Sequence, residues 1–207
     1  ARHDLAERIG YYCSYCEMKV MNSIEVEHIL PQNQGGDVLN WNNFLLSCKY
    51  CNTIKSDHNA NITDYLWPDR DNTDLAFHYS IAEAVTPKVN LVDDLIDKAQ
   101  NTIDLMGLDR FRNGENEPTE ADTRWRSRKE AWDKAMLCYH KWIKDPYPSS
   151  ADYIGVAALN GNYSIWCEVF KDEPLVLKAI DDAYREIGLF KEFQANGNRV
   201  VRSNGLI

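Results

Sequence analysis

Two closely spaced cysteine pairs enclose the residues of this chain that are best suited to chemistry. Cys13 and Cys16 form one pair, Cys48 and Cys51 form the other, and 31 residues lie between them. Two residues between cysteines let both thiolates face one point, so two such knuckles can close a tetrahedral site of four sulfurs. Such a site has no open position for water. The spacing therefore predicts structural zinc, and the alternative is two pairs of ordinary thiols.

A glutamate and a histidine stand next to each other between the cysteine pairs. Glu27 and His28 are followed by Pro31 and by two glycines at 35 and 36. Phosphodiester hydrolysis needs an activated water and neutralisation of the charge that builds up in the transition state. A histidine suits the first task, and a hard cation held by carboxylate and amide oxygens suits the second. Neighbours on a strand point to opposite faces, so the pair can serve one site only if the chain turns after it.

The order of these residues resembles that of the HNH endonucleases. The run Cys-x-x-Cys, Glu-His-x-x-Pro, Gly-Gly, Asn and Cys-x-x-Cys-Asn-x-x-Lys occupies residues 13 to 55, and the resemblance extends to about residue 57. The resemblance implies a ββα-metal fold in which His28 is the general base and Asn43 braces the loop that presents it. It also implies that Glu27 and Asn52 hold a divalent cation, Mg²⁺ or Mn²⁺, on the scissile phosphate.

Two positions depart from the family's pattern. Many members carry a second histidine ligand where this chain has Ser56, a poor ligand, and His58 lies off the helical face. The first ligand is Glu27, where aspartate is commoner. We therefore expect weak binding of the cation by Glu27, Asn52 and water. Lys55 follows Asn52 by about one helical turn and is expected to contact a phosphate.

The hydrophobic pattern around these residues predicts a strand, a loop, a strand and a helix. Alternating apolar and charged residues predict a strand over 24–29, a second strand is expected at 44–46, and a helix at 49–57. A short helix is expected over 2–10. The predicted fold class is α+β and mostly α, with a zinc-stapled ββα-metal core at 1–60 and a helical region at 61–207 that packs on it and binds a partner.

The helical region contains a second group of candidate residues. A short strand is predicted at 75–79, helices at 89–106, 118–144 and 174–186, and a turn at 195–198. Three basic residues of the second helix are candidates to grip a phosphate backbone: Arg124, Arg126 and Arg128. The alternative is a solvated helix face paired with nearby carboxylates.

The net charge of the chain argues for a partner. The 207 residues carry a formal charge of −9, which is unlike the basic footprint of a protein that binds nucleic acid by itself. Downstream of residue 60, from Trp67-Pro68 to the arginine-rich helix, the chain resembles the HNH subunit of Septu-type and retron-associated anti-phage defence systems. That resemblance implies an ABC/SMC-like ATPase as partner, or a retron reverse transcriptase with its msDNA. The helix at 118–144 and the segment 163–170 are candidate contacts.

Together these observations predict a metal-dependent endonuclease that cleaves DNA as the effector subunit of a bacterial defence complex. Structured RNA such as tRNA is the alternative substrate. The alternative function is a zinc-stapled module that binds nucleic acid or a partner and has little activity. The sequence has no apolar run long enough to span a membrane and no signal-peptide pattern, which predicts a cytoplasmic protein.

Overall fold

The structure is a computed structural model that describes residues 1–59, 61–81, 83–187, 200–201 and 204–207. The chain is mostly helical and has two small antiparallel sheets. None of the helices in the described ranges has the length and apolar character that a membrane crossing requires. The turn predicted at 195–198 lies outside the described residues.

The N-terminal segment is built on two short strands and one helix. Strand β1 (Glu25–His28) pairs antiparallel with β2 (Phe44–Ser47), and His28 lies opposite Phe44. Helix α2 (Lys49–Lys55) follows β2 and contacts both strands. Helix α1 (Arg2–Ile9) precedes them and ends at Gly10, which has a positive φ. The predicted order of strand, loop, strand and helix is confirmed.

Each end of α2 is defined locally. Cys48 is the N-cap, and its Sγ accepts a hydrogen bond from the backbone N–H of Cys51 at 3.4 Å. A side-chain acceptor at this position satisfies one of the amide groups that a helix start leaves unpaired. Ser56 ends the helix because its φ of 47° is incompatible with a further turn. The predicted end at residue 57 is therefore two residues too long.

The rest of the described chain is a set of helices with one small sheet. Its elements are α3 (Thr73–Ala76), β3 (Phe77–His78), β4 (Thr86–Pro87), α4 (Asp93–Met106), α5 (Arg124–Trp142), α6 (Pro148–Ala158), α7 (Tyr163–Val169) and α8 (Pro174–Glu186). The bounds of α8 agree with the sequence-based prediction. The strand predicted at 75–79 is shorter, because the chain is helical through Ala76.

Helix α5 begins six residues later than predicted because a side chain sets its first turn. The Asp122 Oδ1 accepts a hydrogen bond from the backbone N–H of Arg124 at 3.2 Å, and the Asp122 N–H donates to the Thr119 carbonyl in a separate turn. Asp therefore favours the turn over a helical continuation here. The segment between Pro118 and Arg124 is irregular as a result.

Two helices are not anticipated by the sequence pattern. Helix α6 begins with Pro148 at its first turn, a position in which proline favours a helix rather than ending one. Helix α7 is rich in β-branched and aromatic residues, and its start is fixed by a distant part of the chain. Because local propensity does not report such contacts, α7 could not be inferred from its own residues.

The two predicted segments share one hydrophobic core. Ile29 and Leu45 of the first segment belong to the same buried cluster as Trp67, Ile103 and Ile165 of the second. A second cluster lies among α5, α6, α7 and α8. The helical region is therefore packed on the strands and on α2, and the boundary near residue 60 stays a prediction.

A carboxylate from the first cysteine knuckle fixes the start of α7. Glu17 accepts hydrogen bonds from the Ser164 backbone N–H at 2.8 Å and from the Ser164 hydroxyl at 2.5 Å. Asn162 adds a backbone bond to the Glu17 carbonyl at 2.8 Å and a side-chain bond to the Cys16 carbonyl at 3.2 Å. An acidic group at a helix N-terminus also interacts favourably with the helix dipole. These bonds attach the knuckle to the helical region.

We expect Glu17→Ala to lower the free energy of unfolding by about 1–3 kcal/mol, because it leaves the part-buried donors of Ser164 unpaired. Urea denaturation checks this value. Glu120→Ala is the matched control, since Glu120 is exposed, and its effect should stay within about 0.5 kcal/mol. Equal stability of the two variants would contradict the assignment.

Candidate functional site

Four cysteine sulfurs converge in the interior between the first knuckle and α2. The Sγ atoms of Cys13, Cys16, Cys48 and Cys51 all lie within 4.8 Å of one another, and all four residues are buried. The Cys16 and Cys48 sulfurs are 3.8 Å apart. Four sulfurs at the Zn–S distance of about 2.3 Å in a tetrahedron are about 3.8 Å apart, so this separation fits a metal centre. None of the four is in a disulfide, and the cluster can bind a metal ion.

Three thiols of this cluster have pKa values that are shifted in different directions. Burial raises the pKa of Cys13, but hydrogen bonds from the other three cysteines outweigh burial and hold its pKa well below the usual value. Hydrogen bonding with Cys13 raises the pKa of Cys16, and burial raises that of Cys51. One negative charge is thus preferred over several, because thiolates in contact repel one another.

His28 lies at the last position of β1, with one ring nitrogen enclosed. Its ring meets the edge of Phe44 at a centroid distance of 5.1 Å, and Phe44 in turn meets Trp41 at 6.2 Å. The Nε2 atom is buried and has no hydrogen-bond partner. A buried polar atom without a partner costs about 1–3 kcal/mol, so its retention calls for an explanation.

Asn43 fastens the chain directly after His28. Its Oδ1 accepts from the Leu30 backbone N–H at 2.8 Å, and its Nδ2 donates to the Leu30 carbonyl at 3.0 Å and to the Asp37 carbonyl at 3.1 Å. Its own carbonyl accepts from the Ile29 N–H at 2.9 Å. One side chain therefore joins both ends of the loop between the strands.

Glu27 and Lys55 form an enclosed ion pair, with side chains 2% and 1% exposed. The Lys55 ammonium contacts one carboxylate oxygen of Glu27, and the Tyr15 hydroxyl donates to the other. Burial lowers the pKa of Lys55, although the charge of Glu27 acts in the opposite direction. Both Glu27 oxygens thus have partners inside the protein and the Lys55 ammonium is enclosed, and the roles expected for the two residues stay predictions.

Asn52 contacts a different glutamate from the one expected. Its Nδ2 donates to the Glu25 Oε2 at 2.7 Å, in a part-buried position. Side chains alternate along a strand, so Glu25 lies on the same face of β1 as Glu27. Sequence reasoning missed Glu25, although this period of two was the signal that could have found it.

Ser56 stands at the position of the family's second histidine, and the nearby His58 belongs to no metal-binding group among the described residues. Ser56 and His58 are exposed, and the His58 Nδ1 lies 3.1 Å from the Ile54 carbonyl oxygen. In the part of the chain that the structure describes, only two groups of three or more cysteine, histidine or acidic side chains come together: the four cysteines, and His3, Asp4 and Glu7 on the surface of α1.

The three arginines of α5 do not form a common surface. Arg124 and Arg128 are 1% and 8% exposed, whereas Arg126 is exposed and lies over the Trp125 ring. Two of the three are thus enclosed, and a basic grip by these residues stays a prediction. Arg124 pairs with Asp122, a contact of the kind that the alternative expected. Arg128 donates to the Arg110 carbonyl at 2.7 Å, which fixes the loop before α5.

A cavity of about 690 Å³ lies beside β2 and α1, and its charge does not suit a polyanion. It is lined by one guanidinium, from Arg8, and by five carboxylates, from Glu7, Glu17, Asp69, Asp71 and Asp181. Nucleic acid would be repelled from such a lining.

We expect Lys55→Met to lower the free energy of unfolding by about 3–5 kcal/mol, because it leaves the buried Glu27 carboxylate without its cation. Adding Glu27→Gln should restore part of this loss, since the amide removes the unpaired charge. Lys49→Met, at an exposed position of α2, is the control. Urea denaturation of these proteins and of Glu27→Gln alone measures the coupling, and an unchanged stability of Lys55→Met would show that Lys55 is not a structural cation.

Comparison with known proteins identifies the segment that carries this site. Residues 13–58 match the family model described as HNH endonuclease. The Septu protein PtuB of Bacillus thuringiensis is 40% identical over 60 residues, a segment that covers 27% of this chain and 23% of that protein. The similarity to PtuB thus spans about a quarter of either sequence. Residues 13–58 of this chain are therefore similar to the HNH endonuclease family.

Proposed function

We propose that the chain is a metal-dependent endonuclease that hydrolyses phosphodiester bonds in DNA, with His28 as general base. The observation that carries the proposal is the buried Nε2 of His28, which has no partner inside the protein. A base needs an acceptor that the protein itself does not occupy. Because Nε2 is enclosed, substrate binding has to uncover it before a water molecule can donate to it.

The positioning of His28 depends on the main chain around it. Lys55 donates to the His28 carbonyl at 2.7 Å, and Asn43 holds the loop that follows. We propose that these two residues keep the imidazole at a constant position relative to the end of β1. A general base loses much of its effect when its position varies by about 1 Å.

A divalent cation fits Glu25 and Asn52 better than Glu27. Mg²⁺ and Mn²⁺ bind carboxylate and amide oxygens, and Asn52 and Glu25, which can offer one of each, are in contact. Glu27 is less available, because Lys55 and Tyr15 each contact one of its oxygens. When bound, such a cation stabilises the negative charge that develops on the phosphate. We propose Glu25 and Asn52 as its protein ligands.

We propose zinc as the ion of the cysteine cluster. The 3.8 Å sulfur separation and the complete burial of four thiols support a closed structural centre. Zinc binding displaces thiol protons, so the affinity should fall as the pH is lowered.

We expect the purified protein to contain about one zinc ion per chain, measured by elemental analysis. Cys48→Ser should lose this ion and melt at a lower temperature, because Cys48 is both a cluster member and the N-cap of α2. Cys138→Ser, at a half-buried cysteine outside the cluster, is the control and should keep its zinc. Metal-free protein that melts like the untreated protein would contradict a structural role.

The wider role that we propose is that of an effector in anti-phage defence. The partial similarity to a Septu protein supports it, as does the resemblance of the downstream sequence to such systems. Three of the four residues expected to grip phosphate are buried: Lys55, Arg124 and Arg128. The chain also has a net charge of −9. We therefore propose that a partner subunit, an ABC/SMC-like ATPase or a retron complex, supplies the affinity for nucleic acid.

We expect His28→Ala to slow cleavage by about 10²–10⁴-fold, because it removes the general base. His78→Ala is the control, since His78 is exposed on the small second sheet. Both variants are assayed on DNA and on structured RNA with Mg²⁺ or Mn²⁺, alone and with a co-expressed ATPase. Unchanged zinc content shows that the fold is intact.

The outcomes of this assay separate the alternatives. Cleavage of RNA alone would change the substrate and keep the mechanism. Binding of nucleic acid or partner without cleavage under any of these conditions would favour the zinc-stapled binding module. Cleavage by His28→Ala at the wild-type rate would remove the assignment of the base.

A further inference from the structure

Among the described residues of α5, Arg124 is the basic residue whose guanidinium contacts the cysteine cluster. Its Nη1 donates to the Cys51 Sγ at 3.3 Å, across 73 positions of sequence. The side chain is 1% exposed. This contact joins the helical region to a sulfur of the cluster.

All five N–H groups of Arg124 have an acceptor. Nη1 also donates to the Met106 carbonyl at 2.7 Å, and Nη2 donates to the Gly107 carbonyl at 3.1 Å. Nε and Nη2 donate to the two carboxylate oxygens of Asp122 at 2.8 and 2.7 Å. A guanidinium has five donors in a rigid plane, so no other side chain can replace this set of bonds.

The two carbonyl groups that accept hydrogen bonds from Arg124 lie at the C-terminal end of another helix. Met106 is the last residue of α4, and Gly107 is its left-handed C-cap. The last carbonyls of a helix have no intrahelical partner and carry the negative end of its dipole. Arg124 is also the first residue of α5. One cation therefore connects the end of α4, the start of α5 and a sulfur of α2.

The strength of the hydrogen bond between Arg124 and Cys51 should depend on whether a metal ion is bound to the cluster. Four thiolates around a divalent cation carry a net charge of roughly −2, and a buried negative charge is unfavourable unless positive groups lie beside it. A guanidinium that donates to a thiolate forms a charge-assisted hydrogen bond, which is stronger than one to a neutral thiol. The Arg124–Cys51 bond should therefore be strongest when the metal is bound.

Asp122 keeps the guanidinium in position. Burial raises the pKa of its carboxyl group, but hydrogen bonds and the charge of Arg124 outweigh burial, so the net pKa is lowered. Asp122 is therefore ionised at neutral pH. It holds two of the five N–H groups, which leaves the Nη1 edge of Arg124 directed at Cys51.

We propose that Arg124 is an outer-sphere positioning residue of the cysteine metal centre, and that it couples metal binding to the packing of the α4–α5 junction. This inference rests on the proposed zinc ion and does not depend on nuclease activity. Coupling is reciprocal: metal should tighten the junction, and loss of the guanidinium should weaken metal binding.

The test measures zinc release from the intact protein into excess chelator. We expect Arg124→Met to release zinc about 10–100-fold faster than the wild type, the range typical for loss of an outer-sphere partner. Arg126→Met removes the same group from an exposed position of α5 and should release zinc at the wild-type rate. Arg124→Lys keeps the charge without the planar fork, so it should also release zinc faster; this variant serves if Arg124→Met does not fold.

Hydrogen exchange supplies the reciprocal measurement. Removal of zinc from the wild type should speed amide exchange around residues 103–124, whereas exchange in α8 should change little. Equal zinc release from the Arg124 and Arg126 variants would overturn the inference, and so would lower stability of Arg124→Lys with unchanged zinc release. Wild-type protein without zinc would overturn both this inference and the zinc assignment. An inactive protein with the expected zinc kinetics would affect only the proposed nuclease.

Discussion

Four sulfurs in mutual contact inside the protein are the constraint around which the N-terminal segment is arranged. Sulfurs so close together favour a single negative charge unless a cation lies among them. The surrounding structure is adapted to this. Strand β2 runs directly into Cys48, which caps α2, and the first knuckle is fixed to α7 through Glu17 and to β2 through the bond from Ser14 to the Leu46 carbonyl.

The ion pair of Glu27 and Lys55 is the second polar element of this core. It joins β1 to the last turn of α2, and the same ammonium donates to the His28 carbonyl. A buried pair of this kind adds little net stability compared with an apolar pair, but removal of one partner is strongly destabilising. Lys55 and Glu27 thus hold the main chain at His28 in place. Glu25 lies on the same face of β1 as Glu27 and contacts Asn52 of α2 in a part-buried position.

The sequence predicts the elements of the HNH segment well because its signals are local: alternation in β1 and the cysteine spacing. It does not predict which polar residues are buried. Lys55, Arg124 and Arg128 look like surface residues in their own helices, and they are enclosed only because acceptors arrive from β1, α4 and the loop before α5. The start of α7 is missed for the same reason, since its capping carboxylate is Glu17, 147 positions away.

The two attachments of Asn43 have a consequence for how the length of this chain can change. Its side chain holds Leu30 on one side and Asp37 on the other, and β2 begins immediately after it. Insertions within α2 or at the strand ends would separate groups that are bonded to each other. Residues 38 to 40 are exposed, with Leu39 86% accessible, so extra residues could be accommodated there without moving His28. We therefore regard this short stretch as the place where related chains can diverge in length and still keep the same site.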